Sequence, residues 1–296
     1  MKSEMKTGSS AGKAAETTTV KILIAGIAGR MGRASAQLIT HAEGVSLVGA
    51  FGRSDGNYVG KDVSELLPRS TGAALGILVR KDMENALGAD KPDVLLDFTH
   101  AEVAVENAKK ALELGIRPVI GTSGISAAHV EELRTIASKK KVGALVIPNF
   151  SIGAVLMMEF ARQAGSMFEH VEVVEMHHTG KKDAPSGTAM HTVAKLASAS
   201  QQYNKSEVEE TELLKGSRGG LGSAGVRVHS LRLPGLISHQ EVIFGGEGEL
   251  LTIRHDSFNT DCFLKGILLS LKAVMQLDHL LVGLDSILPI NGSRII

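Results

Sequence analysis

From Val20 onward the chain alternates short β-branched runs with segments of helical length, and no other feature constrains its fold as much. Such alternation is the pattern of a parallel sheet whose strands are joined by crossover helices. It predicts strands over 20–26, 45–51, 93–99, 117–122 and 143–149. Helices are expected over 29–42, 101–115 and 126–141, the last with Ser126 as its N-cap.

After Pro148 the texture changes. A Met-rich apolar helix (153–168) leads to a strand (170–178), a loop and a helix (186–200). Period-2 runs follow at 225–233, 239–246 and 249–256, with a hairpin turn over 245–249. The polar, glycine-rich stretch 201–225 is expected to extend the preceding helix and then become a loop. The last apolar segment, 261–277, reads as an amphipathic helix that returns to the first half. The fold class expected is α/β, a Rossmann-type doubly wound parallel sheet with a second α+β domain on a mixed, largely antiparallel sheet. Its parts are a disordered tail (1–19), a dinucleotide-binding domain (20–149, rejoined by 261–296) and a substrate-binding and oligomerisation domain (150–260).

At 296 residues and 43% apolar content the chain can bury the cores of two domains. Basic and acidic residues balance at 32 each, so nothing in the net charge points to nucleic acid or an anionic membrane. The single cysteine, Cys262, cannot form an intrachain disulfide, and no Cys/His spacing resembles a zinc site, so no metal and a reducing cytoplasmic home are expected. The first 19 residues lack the apolar stretch of a secretory signal, and no run reaches the roughly 18 apolar residues of a spanning helix.

The strand at 20–26 runs directly into GIAGRMG, with glycines at 26, 29 and 32 where a helix must begin. There a backbone can approach a pyrophosphate closely, and a helix N-terminus offers free N–H donors and partial positive charge. Glycine spacing alone also serves tight turns that bind nothing. At the end of the second strand stand Gly52, Arg53 and Ser54, with no carboxylate to hold a ribose hydroxyl and an arginine suited to a 2′-phosphate. NADPH is therefore expected as the preferred cofactor. Asp55 leaves NADH use open, and Arg53 could equally be a solvated turn residue.

The densest concentration of chemistry is MHHTGKKDAPSGTAM, residues 176–190. His177 and His178 end a strand, and histidine exchanges protons near neutral pH with little tuning. Lys181 supplies a cation within the next loop. Ser186 sits like an N-cap, so the amides of Gly187 and Thr188 and the Thr188 hydroxyl form an anion cradle. Together these suit a small dianionic substrate. Neighbouring strand residues face opposite ways, however, so one histidine could be an ordinary core residue. Asp183 could simply fix the loop.

The motifs GIAGRMG (26–32), DFT (97–99), GTSG (121–124), PNFSIG (148–153) and above all EMHHTGKKDAPSGTA (175–189) give the chain its resemblance to the 4-hydroxy-tetrahydrodipicolinate reductase (dihydrodipicolinate reductase) family of the diaminopimelate route to lysine. The resemblance implies a two-domain homotetramer that reduces a cyclic dicarboxylate with NADPH or NADH. It implies His177 as proton donor/acceptor, Lys181 as second proton donor and substrate cation, and His178, Gly187 and Thr188 as substrate-holding residues. Gly26, Ile27, Ala28, Gly29, Arg30 and Met31 match the pyrophosphate turn, and Arg53 the 2′-phosphate contact. Gly121, Thr122, Ser123, Pro148, Asn149 and Phe150 match the strand ends that line the nicotinamide. Hydride is implied to reach C4 of an unsaturated ring formed by loss of water, and the adjacent carbon gains a proton. Closure of the two domains over the ligands is expected.

Two positions depart from the family's pattern. Thr179-Gly180 stands where members often carry further basic residues, and Gly52 where some carry an acid. Two rival readings are another Rossmann-type imine or amino-acid reductase and a non-catalytic nicotinamide-sensing regulator. The 176–190 cluster discriminates against both.

Overall fold

The computed structural model describes residues 19–67, 72–88, 90–205 and 208–290. The tail expected over 1–19 therefore lies almost wholly outside the described residues, as do 291–296 of the returning segment. In chain order the first elements are β1 (Val20–Ala25), α1 (Arg30–Ile39), β2 (Val45–Phe51), β3 (Val79–Arg80), α2 (Met83–Ala86), β4 (Val94–Asp97), α3 (Ala101–Glu113), β5 (Arg117–Ile120), α4 (Ala127–Lys140), β6 (Ala144–Val146) and α5 (Ile152–Gly165). They are followed by β7 (His170–His177), α6 (Gly187–Ala199), β8 (Gly220–Leu221), β9 (Arg227–Arg232), β10 (Ser238–Gly246), β11 (Glu249–Ser257), α7 (Leu264–Ala273) and β12 (Leu280–Val282).

Seven strands form a parallel sheet in the order β12-β6-β5-β4-β1-β2-β3. In β1, Ile22 and Ile24 pack with Ala36 and Ile39 of α1 and with Ile267 and Leu271 of α7. The alternate residues Leu23 and Ala25 pack with Leu95 and with Ala111 of α3. The sheet is thus covered on both faces, which is why its strands read as unbroken apolar runs. The strand order reverses between β1 and β4, and ligands of such sheets bind at the carboxyl ends beside that switch.

The second sheet runs β11-β10-β7-β9-β8; only the β7–β9 pair is parallel. Val171, Val173, Val228, Val242 and Phe244 face Ala161 of α5 and Val193 and Leu196 of α6. The architecture is the one expected, with differences at its margins. Edge strands β3 and β12 are too short to show periodicity. The segment 261–277 is a ten-residue helix flanked by two 3-10 turns, and Ile267 and Leu271 of that helix share a core with β1 of the first sheet. The anticipated extension of α6 beyond 200 does not occur: Tyr203 turns into the core, where its hydroxyl lies 2.9 Å from the Gly165 carbonyl and 3.0 Å from that of Leu196. No helix among the described residues is long and apolar enough to cross a membrane.

Candidate active site

The chain leaves β1 through Gly26 at φ +76°, where a side chain would also meet the Phe98 carbonyl oxygen at 2.9 Å. The Gly26 and Ile27 amides donate to the Phe51 carbonyl (3.0 and 3.3 Å), and that of Gly29 to Gly26 (3.0 Å). These three residues therefore shape the turn, and the Ile27 side chain is in the core. The N-cap Gly29 makes no side-chain bond and the first turn of α1 holds no acid. The leading amides of α1, at Arg30 and Met31, thus have neither an intrahelical partner nor a competing carboxylate. With Ala28 between them and β1, the turn fits a pyrophosphate held by backbone donors.

At the end of β2 the Tyr58 ring covers Gly52, so that a Cβ there would lie 2.7 Å from the ring. The Tyr58 hydroxyl accepts the Arg53 amide at 2.9 Å. The Arg53 side chain is exposed, its Nε 3.7 Å from Asp55. Sequence reasoning missed Tyr58, whose ring takes the space above position 52.

The neighbouring strand ends are fixed by Asp97, which is fully buried. It accepts from the Thr99 amide (2.7 Å), the Thr99 hydroxyl (2.5 Å) and Asn107 (2.8 Å). Burial pushes its carboxyl up, against those bonds. The Thr122 hydroxyl donates to the Thr99 carbonyl at 3.0 Å, tying the Gly121-Thr122-Ser123 segment to the loop after β4. Phe150 is buried and meets Phe98 edge-on at 5.9 Å. Pro148 is exposed and Asn149 half-buried; Asn149 Nδ2 lies 3.4 Å from the Thr188 hydroxyl.

Pro148 and Asn149 open onto a cavity of about 180 Å³ whose lining also includes His177, Ser186, Thr188 and Ser238. His177 Nδ1 is 2.5 Å from Glu175 Oε2, and Nε2 is 3.0 Å from the Ser238 hydroxyl. Burial pushes the imidazole below its ordinary value against the pull of Glu175, and the Lys181 and Arg232 charges add to the lowering. Glu175 is itself completely buried. Burial would raise its carboxyl, but the bonds from Arg232, Ser230 and His177 outweigh it and hold the group below the usual range.

The helix start follows the sequence: the Ser186 hydroxyl caps α6 by accepting from Ala189 at 3.2 Å. Gly187 and Thr188 occupy its first turn, where amides have no intrahelical partner. Of the expected catalytic and substrate-holding residues, His177 and Thr188 are in the cavity lining and Gly187, Lys181 and His178 are not. Lys181 is paired with Asp183 at 2.7 Å, and His178 is exposed, with Nδ1 accepting the Gly180 amide at 3.1 Å. The Thr179-Gly180 departure thus forms a tight turn around the His178 ring.

Sequence reasoning also passed over Glu175, Arg232, Ser238, His239 and His255. A signal existed for Glu175, since period-2 spacing puts it on the face of His177. None existed for the others: Arg232, Ser238 and His239 reach the site through pairing of β7 with β9 and β10, and His255 through pairing of β11 with β10.

Family models described as dihydrodipicolinate reductase, N-terminus, and dihydrodipicolinate reductase, C-terminus, match residues 20–150 and 153–288. The chain is 43% identical to the 4-hydroxy-tetrahydrodipicolinate reductase of Synechococcus elongatus over 273 residues, covering 91% of this chain and 98% of the relative. It is 41% identical to that of Mastigocladus laminosus over 278 residues, covering 93% and 100%. Among solved structures, a dipicolinate-bound dihydrodipicolinate reductase from Paenisporosarcina sp. TG-14 superposes with a TM-score of 0.81 at 38% identity, covering 92% of this chain and all of that one. An amine dehydrogenase from Mycobacterium smegmatis, at TM-score 0.61 and 16% identity over 90% of this chain and 95% of that one, shares the fold alone.

Proposed function

The chain belongs to the dihydrodipicolinate reductase family, and from that premise we propose how its two sheets divide the work of a nicotinamide-dependent reduction. Its activity is the reduction of 4-hydroxy-tetrahydrodipicolinate in lysine and diaminopimelate biosynthesis. When bound, the nicotinamide supplies hydride. The rest of the work is alignment, charge neutralisation and proton delivery, and it falls to the protein.

In this reading the Ala28, Arg30 and Met31 amides hold the pyrophosphate and Gly26, Ile27 and Gly29 shape their turn. Gly121–Ser123 and Pro148–Phe150 line the nicotinamide. NADPH is preferred, because Arg53, exposed beside Asp55, can turn to meet a 2′-phosphate while Tyr58 covers the place of a ribose-binding acid; NADH is still accepted. The substrate is a small cyclic dicarboxylate. One carboxylate meets Gly187 and Thr188 at the start of α6, and Lys181, released from Asp183, and His178 meet the other. His177 carries the proton for the carbon next to C4, and Lys181 is a second donor. Neither nucleic acid nor a membrane takes part.

Further parts of the proposal concern the whole molecule. Domain 20–149, rejoined by 261–296, binds cofactor, and domain 150–260 binds substrate and forms the oligomer. A homotetramer is supported by the uncovered face of the second sheet, where Val174, Leu231 and Ile243 line a groove of about 1010 Å³ among Glu172, Arg218 and Arg227. A cytoplasmic location suits a reductase with one unpaired cysteine, Cys262.

The observation that carries the reading is the meeting of His177, Thr188 and Asn149 around one cavity. Calorimetric titration with dipicolinate tests it. Binding should weaken about 10-fold in Thr188→Val and Lys181→Ala, as expected when a hydrogen bond to a charged group is lost. Unchanged affinity in both would remove the anion cradle from the account.

A further inference from the structure

We propose that Glu175 is the positioning residue of this site: its carboxylate fixes the tautomer of His177, aims Nε2 into the cavity and, balanced against Arg232, sets the pH at which His177 holds its proton. The proposal rests on the reading of His177 as proton donor. It concerns a residue that touches neither substrate nor cofactor.

The alternation of β7 places Val171, Val173, Glu175 and His177 on the buried face. A carboxylate there occupies a position suited to an apolar side chain, and such burial is tolerated only when every lone pair is engaged. Glu175 meets that condition. Arg232 donates to both oxygens (3.0 and 2.7 Å), the Ser186 amide donates to Oε1 (3.3 Å), and His177 Nδ1 approaches Oε2 at 2.5 Å.

An ionised carboxylate only accepts hydrogen bonds, so His177 Nδ1 must carry the hydrogen. The other nitrogen, Nε2, is then the one that gains and loses a proton. It is the nitrogen beside Ser238, in the wall of the cavity. The arrangement serves the purpose a buried aspartate serves behind a catalytic histidine elsewhere: orientation, tautomer choice and support for the imidazolium.

The charges around His177 come from several elements. Glu175 is on its own strand and Arg232 on β9, with Lys181 and its partner Asp183 on the following loop. His239 and His255 share the cavity from β10 and β11, and Ser238 is uncharged. Glu175 favours the imidazolium, whereas burial, Lys181 and Arg232 oppose it. Removing Glu175 or Arg232 must therefore move the His177 titration in opposite directions. A purely structural role, in which the pair merely joins β7 to β9, yields lower stability but no such opposition.

The test compares wild type, Glu175→Gln, Arg232→Met and the double variant in two measurements: the pH dependence of kcat/KM, and the 15N-histidine NMR titration of the intact protein without ligands. Losing an adjacent charge shifts a titration by about one pH unit or more. Glu175→Gln should lower the His177 midpoint and the basic limb of the rate profile by about that much, and Arg232→Met should raise both. The double variant, which leaves no lone buried charge, should fold and titrate between the two. Glu175→Asp, which keeps the charge, should lie nearer wild type than Glu175→Gln. Midpoints that stay put, or that move the same way in both single variants, overturn the proposal. Full activity in His177→Ala would instead overturn the proton-donor reading on which it rests.

Discussion

Asn149 Nδ2 and the Thr188 hydroxyl meet at 3.4 Å, joining the carboxyl edge of the first sheet to the first turn of α6. Asn149 Oδ1 also accepts the Ser151 amide at 2.9 Å, so one side chain orders the passage between the sheets and touches the first turn of α6. Asn149→Ala should raise KM for the dicarboxylate about 3- to 10-fold, the effect of one lost hydrogen bond. The dissociation constant of NADPH in the absence of substrate should hardly change, and fluorescence titration of the reduced nicotinamide measures it.

The strand end at Gly52 makes a cofactor prediction. Arg53→Ala should weaken NADPH about 10-fold while sparing NADH, and the difference should shrink as salt is raised, because the contact is an exposed ion pair. Gly52→Asp alone should gain little NADH binding, since its Cβ would lie 2.7 Å from the Tyr58 ring. Only Gly52→Asp combined with Tyr58→Ala should improve it. Equilibrium binding of both nucleotides to the four proteins decides between these outcomes.

Stability should fall on mild acidification. Burial lowers both His177 and His255 below the ordinary imidazole value, which is about 6.5 in an unfolded chain. Between that value and their folded values the unfolded chain binds more protons, so stability is full above about pH 6.5 and declines as pH drops. Melting temperatures between pH 5.5 and 7.5 should show this slope, and His255→Asn should flatten it. A carboxylate contribution, from Glu175 and Glu159 with their lowered values, is lost only in more acid solution.

Tyr203 offers a packing test. Tyr203→Phe keeps the ring but leaves the Gly165 carbonyl, at the end of α5, without its hydroxyl donor inside the core, whereas the Leu196 carbonyl keeps the Ser200 amide. The expected cost is about 1–2 kcal/mol in urea unfolding, with the slope of the transition unchanged.

Much of this was legible in the chain because the signals are local. The apolar run of β1 leading into Gly26 announced a strand, a turn and a helix, and Ser186 capped α6 where its type and position indicated. The strand over 170–178 ended one residue early, at His177. What stayed hidden depends on strands distant in sequence. Arg232 and Ser238 reach His177 only because β9 and β10 flank β7, and Tyr58 matters only because it folds back over Gly52. Edge strands β3 and β12 carry two and three residues, too few for any period to register. Tyr203 ended a helix that its neighbours would have prolonged, because a buried hydroxyl takes the carbonyls it can reach.

His177 is proposed to deliver the proton and Lys181 the charge in a reduction fed by nicotinamide. The direct measurement is NADPH oxidation with substrate generated in place by the preceding synthase, for wild type, His177→Ala and Lys181→Ala. Wild type should turn over, and removal of the proton donor should lower kcat about 10²- to 10⁴-fold, with Lys181→Ala impaired in KM as well. An inactive wild type, or full rate in both variants, would contradict the account.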